Sequence, residues 1–431
     1  MCSFDFRTAR TGLALLAASS SLLLGPVRLG APAEAREGIA TLKSLYEAHR
    51  WFGLRDSVRS GAPPFYEGAV ACAFNEVHRC EETLKPVIES SPRSDEAIEA
   101  HRLLASAYFR SAKYHEALVH VAAVLAARPG DPDARSERPL LAALADFPDQ
   151  AVVRRGLTRV RLSDAGLPFS INGVQGTYWF DTGADISVLS ESEAKRFGLR
   201  VMAAPIQEGD VNGTQVNSRV AVADELSVGS ILLEHVGFLV VPDSQPPFNQ
   251  LPPGSRGLIG MPVLLAFRRF AVWGAESGLP LHGQQEGEFE IGSRPPNGLA
   301  PHADLCFDGH HPVARVRFGG QNLAFTLDTG ATNTDLYPPF AKAFPKLIRA
   351  SAKTDSYKME GVGGAKYMAA AILPILHFNV GGFPVVLKSA GVLLTPTTQT
   401  SKFFEGNLGN DLLQQAKEIT FDFDSMALTL R

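Results

Sequence analysis

No long run of Lys or Arg occurs anywhere in the 431 residues, and the formal net charge is −4. A nucleic-acid partner therefore has no electrostatic footprint here. Beyond the N-terminus, no window is apolar enough to cross a bilayer, which takes about 20 residues. His-Glu-x-x-His and Gly-x-Ser-x-Gly are both absent, which removes the usual signatures of zinc peptidases and serine hydrolases. Gly361-Val362-Gly363-Gly364-Ala365-Lys366 lacks the Lys-Ser/Thr spacing of a phosphate loop. Cysteine is scarce, with four in the chain. His302, Cys306, His310 and His311 are close in sequence, but Pro301, Gly309 and Pro312 break any helix that would align them. An exposed strand and turn is expected there, with no metal and no cofactor.

What is present begins with an export signal over residues 1–35. Arg7 and Arg10 precede the apolar stretch Leu13 to Leu24, and Ala33-Glu34-Ala35 offers a small-x-small cleavage site. The expected product is periplasmic or secreted, with no membrane span after cleavage. Cys72, Cys80 and Cys306 remain. In an oxidising compartment, a close pair plus one spare is the natural reading.

Residues 36–150 have the helix-period apolar spacing of an α domain. Gly68, Ala71, Cys80 and Pro92 recur, with the same successive gaps, as Ala105, Tyr108, Ala117 and Pro129. These are the small and aromatic positions of a helix–turn–helix repeat, and the pattern resembles tetratricopeptide repeats. A helix pair around Leu42 to Val58 and a helix near Leu140 to Ala145 would cap the array. The pattern folds the helices of Cys72 and Cys80 against each other, so a disulfide between them is expected.

From about Gly156 the texture becomes β-rich, with glycines punctuating runs of Val, Phe, Thr and Ile. Between Asp146 and Gly156, Pro148 and charged residues interrupt the apolar pattern, which predicts separable regions. A hydrophobic fraction of 45% suffices for packed cores, and 39 Gly with 29 Pro suit a turn-rich fold. Residues 276–298 read as a linker between two units, 156–275 and 299–431. Asn172-Gly173 and Asn212-Gly213 are tight-turn dipeptides. The fold class expected is multidomain α and β, with N-terminal helical hairpin repeats followed by an all-β bilobal region.

The two units match element by element. Asp181-Thr182-Gly183-Ala184 follows Tyr178-Trp179-Phe180, and Asp328-Thr329-Gly330-Ala331 follows Phe325-Thr326-Leu327. Each is followed at nearly the same distance by a glycine-bracketed apolar loop, Gly257-Leu258-Ile259-Gly260 and Gly406-Asn407-Leu408-Gly409. Each also has a short helix, starting after Ser190 in one unit and after Pro338-Pro339 in the other. Each has a hairpin candidate, at Gly209 to Thr214 and at Gly361 to Gly364. A strand ending in Asp-Thr-Gly places a carboxylate at a sharp turn, where glycine leaves room for a partner. Packed about a pseudo-twofold axis, two such turns would bring the aspartates together. Carboxylates about 3 Å apart share one proton and titrate as a pair. Such a dyad activates water by general acid–base catalysis.

Residues 156–431 resemble the aspartic peptidases of the pepsin and retropepsin type. The resemblance rests on both Asp-Thr-Gly-Ala motifs and on Ile259-Gly260 and Leu408-Gly409. The continuation Ala184-Asp185 and the size of the units are more like two retropepsin subunits fused in one chain. The resemblance implies Asp181 and Asp328 as the catalytic dyad. Thr182 and Thr329 would lock the loops, Gly183, Ala184, Gly330 and Ala331 would complete them, and Asp185 would lie near the substrate backbone. Pro205 to Val222 contains no tyrosine, so no flap tyrosine is assigned. The function expected is exported aspartic endopeptidase, acting on a peptide or protein, with the helical repeats docking a substrate or protein partner. The alternatives are a catalytically inactive peptide-binding protein of the same fold, and a helical region that shields the cleft.

Overall fold

The computed structural model describes residues 33–162, 166–203, 206–209, 215–274, 287–292, 303–351, 353–361, 364–398 and 400–431. Most of the expected export signal lies outside them, as do Asn212-Gly213, the tip of the first hairpin, and His302. Among the described residues, no helix is long and apolar enough to cross a membrane.

Seven helices come first: α1 (Ala33–Glu47), α2 (Trp51–Ser57), α3 (Pro64–Ala73), α4 (Val77–Ser90), α5 (Asp95–Arg110), α6 (Tyr114–Ala127) and α7 (Pro132–Leu144). Their starts are written locally. Ser94 caps α5 by accepting the Ala97 N–H at 3.1 Å, and Asp131 caps α7 by accepting that of Ala134 at 2.9 Å. The turns joining α1 to α2, α3 to α4 and α5 to α6 share one backbone. His49, Asn75 and Ala112 sit there at φ of 54°, 60° and 55°. The region is therefore three hairpins of one design with α7 behind them. Cys72 on α3 and Cys80 on α4 form a disulfide with Cα atoms 4.9 Å apart. Gly68 faces the buried Leu84 so closely that a Cβ there would lie 2.5 Å from Leu84 Cγ.

Three sheets follow. Two have eight strands and repeat one wiring. In the first, Val174–Phe180 runs parallel to Gly257–Ile259, which is antiparallel to Ser187–Ser190, which is parallel to Ile231–Val241. In the second, Gln321–Leu327, Gly406–Leu408, Asp335–Leu336 and Phe383–Leu393 repeat that order and those directions. The third sheet has five strands and joins the two units. Arg269–Gly274 pairs with Glu418–Asp422, the closing strand of the other unit. Asn172-Gly173 makes a two-residue hairpin turn with both φ values positive, as expected.

Two boundaries differ from expectation. Ala151–Arg154 already pairs as an edge strand of the first sheet. Gly287–Ile291, inside the stretch read as linker, is a strand of the five-stranded sheet between Thr158–Leu162 and Arg269–Gly274. Composition is a poor guide there, because a strand of five residues flanked by Gly, Pro and polar residues hardly changes the average.

The helical and β regions share an interface. One continuous apolar cluster runs from Leu42 in α1 through both eight-stranded sheets to Leu430. Polar ties reinforce it. Trp51 Nε1 donates to Asp308 Oδ1 at 2.8 Å, and Arg50 pairs with Glu405 at 2.7 Å. The buried Arg110 donates to the carbonyls of Cys72, at 2.9 Å, and Gly309, while its guanidinium lies 4.3 Å over Phe307.

The close approach of α3 and α4 gives a stability prediction. Gly68→Ala should lower the unfolding free energy in urea by about 1–3 kcal/mol, the usual cost of overpacking. An unchanged midpoint would mean that Leu84 moves aside at no cost.

Candidate active site

Each aspartate of interest follows the buried last residue of a strand, Phe180 or Leu327. Each backbone N–H is held by a glycine-bracketed loop. Asp181 N donates to Ile259 O at 2.8 Å, and Asp328 N donates to Leu408 O at 3.0 Å. The loops are bonded back in turn. Gly260 N donates to Ser187 Oγ and Gly409 N to Thr334 Oγ1, both at 3.0 Å. A side chain on either glycine would collide with backbone. A Cβ would lie 2.5 Å from the carbonyl carbon of Ile186 or 2.6 Å from that of Asn333. Thus Ile259, Gly260, Leu408 and Gly409 support the two aspartate turns.

The turns meet. Thr182 N donates to Thr329 Oγ1 and Thr329 N donates to Thr182 Oγ1, each at 3.0 Å. Each hydroxyl then donates across the axis, Thr182 to Leu327 O at 2.8 Å and Thr329 to Phe180 O at 3.0 Å. Both threonines are 1% exposed, so all four bonds are shielded from water. Gly183 and Gly330 make room for the opposite carboxylate. A Cβ on Gly183 would lie 2.6 Å from Asp328 Cγ, and one on Gly330 would lie 2.5 Å from Asp181 Cγ. Real Cβ atoms essentially never come within 3.0 Å.

Each carboxyl group lies against the opposite loop's glycine, so the two face each other across the axis. Burial, and then the charge of Asp328, hold the Asp181 carboxyl well above the usual range. Asp181 Oδ1 accepts from Gly183 N at 2.8 Å, and Asp328 Oδ1 accepts from Gly330 N and Ala331 N, each at 2.9 Å. The carbonyls of Ala184 and Ala331 accept from Met261 N at 3.0 Å and Asn410 N at 2.9 Å.

Asp185 points elsewhere, toward the helical region. His310 Nδ1 and His311 Nδ1 each lie 3.4 Å from its carboxylate. Burial opposes its charge, yet His311 and His310 hold it down at about 2. The ring of His310 stacks on Phe109 of α5 with centroids 4.3 Å apart, and its Nε2 lies 3.9 Å from Glu137 of α7. The expected exposed turn is therefore wrong for His310, which is 9% exposed. Its short-range sequence shows Gly and Pro but hides α5 and α7, which bury it. Among the described residues, no group of His, Cys, Asp and Glu has the makings of a metal site.

The sequence reading also missed Asn407. Its Nδ2 donates to Asp328 Oδ2 at 3.1 Å. The available signal was a polar residue in a slot that is Leu258 in the other unit.

Residues 167–263 match the family model described as aspartyl protease. That span contains Asp181-Thr182-Gly183 and Ile259-Gly260, and the match supports an aspartic peptidase. Among solved structures, a retropepsin-like aspartic protease from Rickettsia conorii is 12% identical, with 34% of this chain and 97% of that chain covered at a TM-score of 0.21. An overlap so slight does not bear on the fold. No curated protein matches the chain.

Two predictions follow from this geometry. Thr182→Val removes the acceptor of Thr329 N and the donor to Leu327 O in the interior, at about 1–3 kcal/mol for each. Urea unfolding should show that loss, and Thr182→Ser should recover most of it. Equal stability of the Val and Ser variants would show that the crossed bonds contribute nothing.

The second concerns His310. Burial alone would lower its pKa, but Glu137 and Asp185 outweigh burial and raise it, against a smaller opposing effect of Arg110. The stabilisation is therefore fully present below the unfolded pKa of about 6.5. It is lost as pH rises through the raised folded value. His310→Phe keeps the stacking and should flatten this part of the Tm–pH curve. If parent and variant lose stability in parallel above about pH 6.5, His310 does not carry it.

Proposed function

We propose that this chain is an aspartic endopeptidase whose single active site is formed between two retropepsin-like lobes. The observation that carries the reading is the meeting of Asp181 and Asp328 under the crossed threonine bonds. One carboxyl is protonated and the other ionised, as close burial of two like charges requires. A water between them loses a proton to the ionised carboxylate as its oxygen attacks the peptide carbonyl carbon. The protonated partner gives its proton to the carbonyl oxygen. The resulting diol collapses as the first carboxyl passes its proton to the amide nitrogen, the C–N bond breaks, and a diol hydroxyl returns a proton to the second. Neither a metal nor a covalent intermediate is required.

The helical region, in this reading, docks part of the substrate or a protein partner. What supports this is its contact with the site: α7 packs on Ile206–Gly209 and Gln215–Val228, the hairpin of the first unit, and supplies Glu137 beside Asp185. Export is part of this reading, on the signal expected over residues 1–35, and is consistent with the Cys72–Cys80 disulfide. A binding protein without activity is disfavoured, since both Asp-Thr-Gly motifs are intact.

Peptide hydrolysis by the purified protein is the test. Asp181→Asn and Asp328→Asn should each fold and each lose at least about 10²-fold in turnover. The double variant should be hardly slower than either single, because the pair acts as a unit. Activity should fall as pH rises through the elevated ionisation of Asp181, and a chelator should not change it. Near-normal turnover by Asp328→Asn would sink the two-lobe site and leave a dimer pairing two copies of Asp181.

A further inference from the structure

The frame around the two aspartates is symmetric, but the groups that touch them are not. Thr326 pairs with Asn407 in the register of the second sheet, where Trp179 pairs with Leu258 in the first. Asp328 follows one pair by two residues and Asp181 follows the other at the same offset. Asn407 is 9% exposed, and its amide is fixed in direction. Thr326 Oγ1 donates to its Oδ1 at 2.7 Å, which turns Nδ2 toward Asp328 Oδ2 at 3.1 Å. Leu258, buried at 7% exposure, has no donor to offer.

We propose that Asn407 is a positioning residue that makes Asp328 the ionised member of the dyad and leaves the shared proton on Asp181. The inference rests on the aspartic-peptidase reading for its catalytic meaning, but not for the asymmetry itself. An ionised carboxylate accepts only, and N–H donors favour it. Asp328 receives three, from Gly330, Ala331 and Asn407. The first two have partial counterparts around Asp181, in Gly183 and in the Gly330 backbone. The third has none.

The other ionisable groups near Asp328 act in one direction. Asp181 faces it across the axis, and Asp335 and Tyr337 lie on the neighbouring strand and just after it. Asp335 accepts from Tyr357 Oη at 2.7 Å, and burial raises its carboxyl to about 6. Asp411 lies beyond it. Among these described residues none is a cation, and the Asn407 amide is a side-chain donor that offsets them. In the reaction, Asp328 is then the base that takes the proton from water. Asp181 is the acid that protonates the substrate carbonyl oxygen. During collapse, the proton held by Asp328 goes to the leaving nitrogen, and a diol hydroxyl returns a proton to Asp181.

The experiment follows the titration of the dyad in the full chain by ¹³C NMR of labelled Asp carboxyls, beside the pH profile of kcat/KM on a peptide. Asn407→Leu installs the residue of the opposite slot. It should raise the lower ionisation of the dyad by about one pH unit, the worth of a hydrogen bond to a charged group. The acid limb of the profile should move up by the same amount. Thr326→Val, which only frees the amide to rotate, should shift both in the same direction by less. It carries the test if Asn407→Leu does not fold. A side chain with a merely structural role would change stability without moving either curve. Unmoved curves in a folded variant overturn the inference and leave the proposed function intact. If the parent cleaves no peptide but its carboxyl titration still shifts in Asn407→Leu, the proposed function fails and the asymmetry stands.

Discussion

Everything at the centre of this molecule depends on keeping two carboxylates together that would separate if free to do so. Two buried like charges repel, and the repulsion is relieved only by sharing a proton. The protein must then deny them the alternative of moving apart. It does so with four shielded hydrogen bonds between Thr182 and Thr329 and the strands Val174–Phe180 and Gln321–Leu327. The glycines at 183 and 330 are the complementary condition, because any side chain there would occupy the place of the opposite carboxylate. The five-stranded sheet secures the same pairing at longer range. Two adjacent inner strands come from different units and run across the junction in continuous register from Arg269↔Asp422 to Trp273↔Glu418.

The helical region is held by the same kind of shared element. Arg110 gives its guanidinium protons to a carbonyl on its own side, that of Cys72, and to one on the β side, that of Gly309. Buried charge of this sort is costly unless fully used, and burial lowers the Arg110 pKa to about 9. His310 follows in sequence and lies between Phe109, Glu137 and Asp185. The residues that close the helical interface thus adjoin the loop that carries Asp181. That adjacency makes the α region part of the site's surroundings and not an appendage on a linker.

Much of this was legible in the sequence, and the reason is local chemistry. Asp-Thr-Gly and apolar-Gly loops are short motifs whose geometry is set by their own residues. Repetition of both in one order supplied the long-range pairing that a single copy leaves open. The turn at Asn172-Gly173 and the helix start after Ser190, where Glu191–Arg196 is helical, were readable for the same reason. Gly287–Ile291 was not, since its strand character comes from neighbours at Thr158–Leu162 and Arg269–Gly274. The burial of His310 was also hidden, because its partners lie more than a hundred residues away in α5, α7 and at Asp185. Asn407 was visible as a residue but not as a donor. A polar residue in an apolar slot has no meaning until the strand register places it against Asp328.

The departures from symmetry fall at matched positions, and this points to what a fused pair of units can do. Leu258 corresponds to Asn407, Val188 to Asp335, Met261 to Asn410 and Asp185 to Thr332. In an assembly of two identical subunits, any substitution beside one aspartate is repeated beside the other. A donor for one carboxylate would be a donor for both, and the proton would have no preferred owner. Within one chain the two sides vary independently. Asn410 Nδ2 can support the Thr329 carbonyl at 2.8 Å while Met261 packs in the corresponding place as a buried apolar residue. Asp185 can engage His310 and His311 at one end, while Thr332 at the other has its carbonyl bonded to Asp411 N at 3.1 Å. The conserved part of the frame is then what must be symmetric to hold the carboxylates together. Its variable part is what assigns them different surroundings.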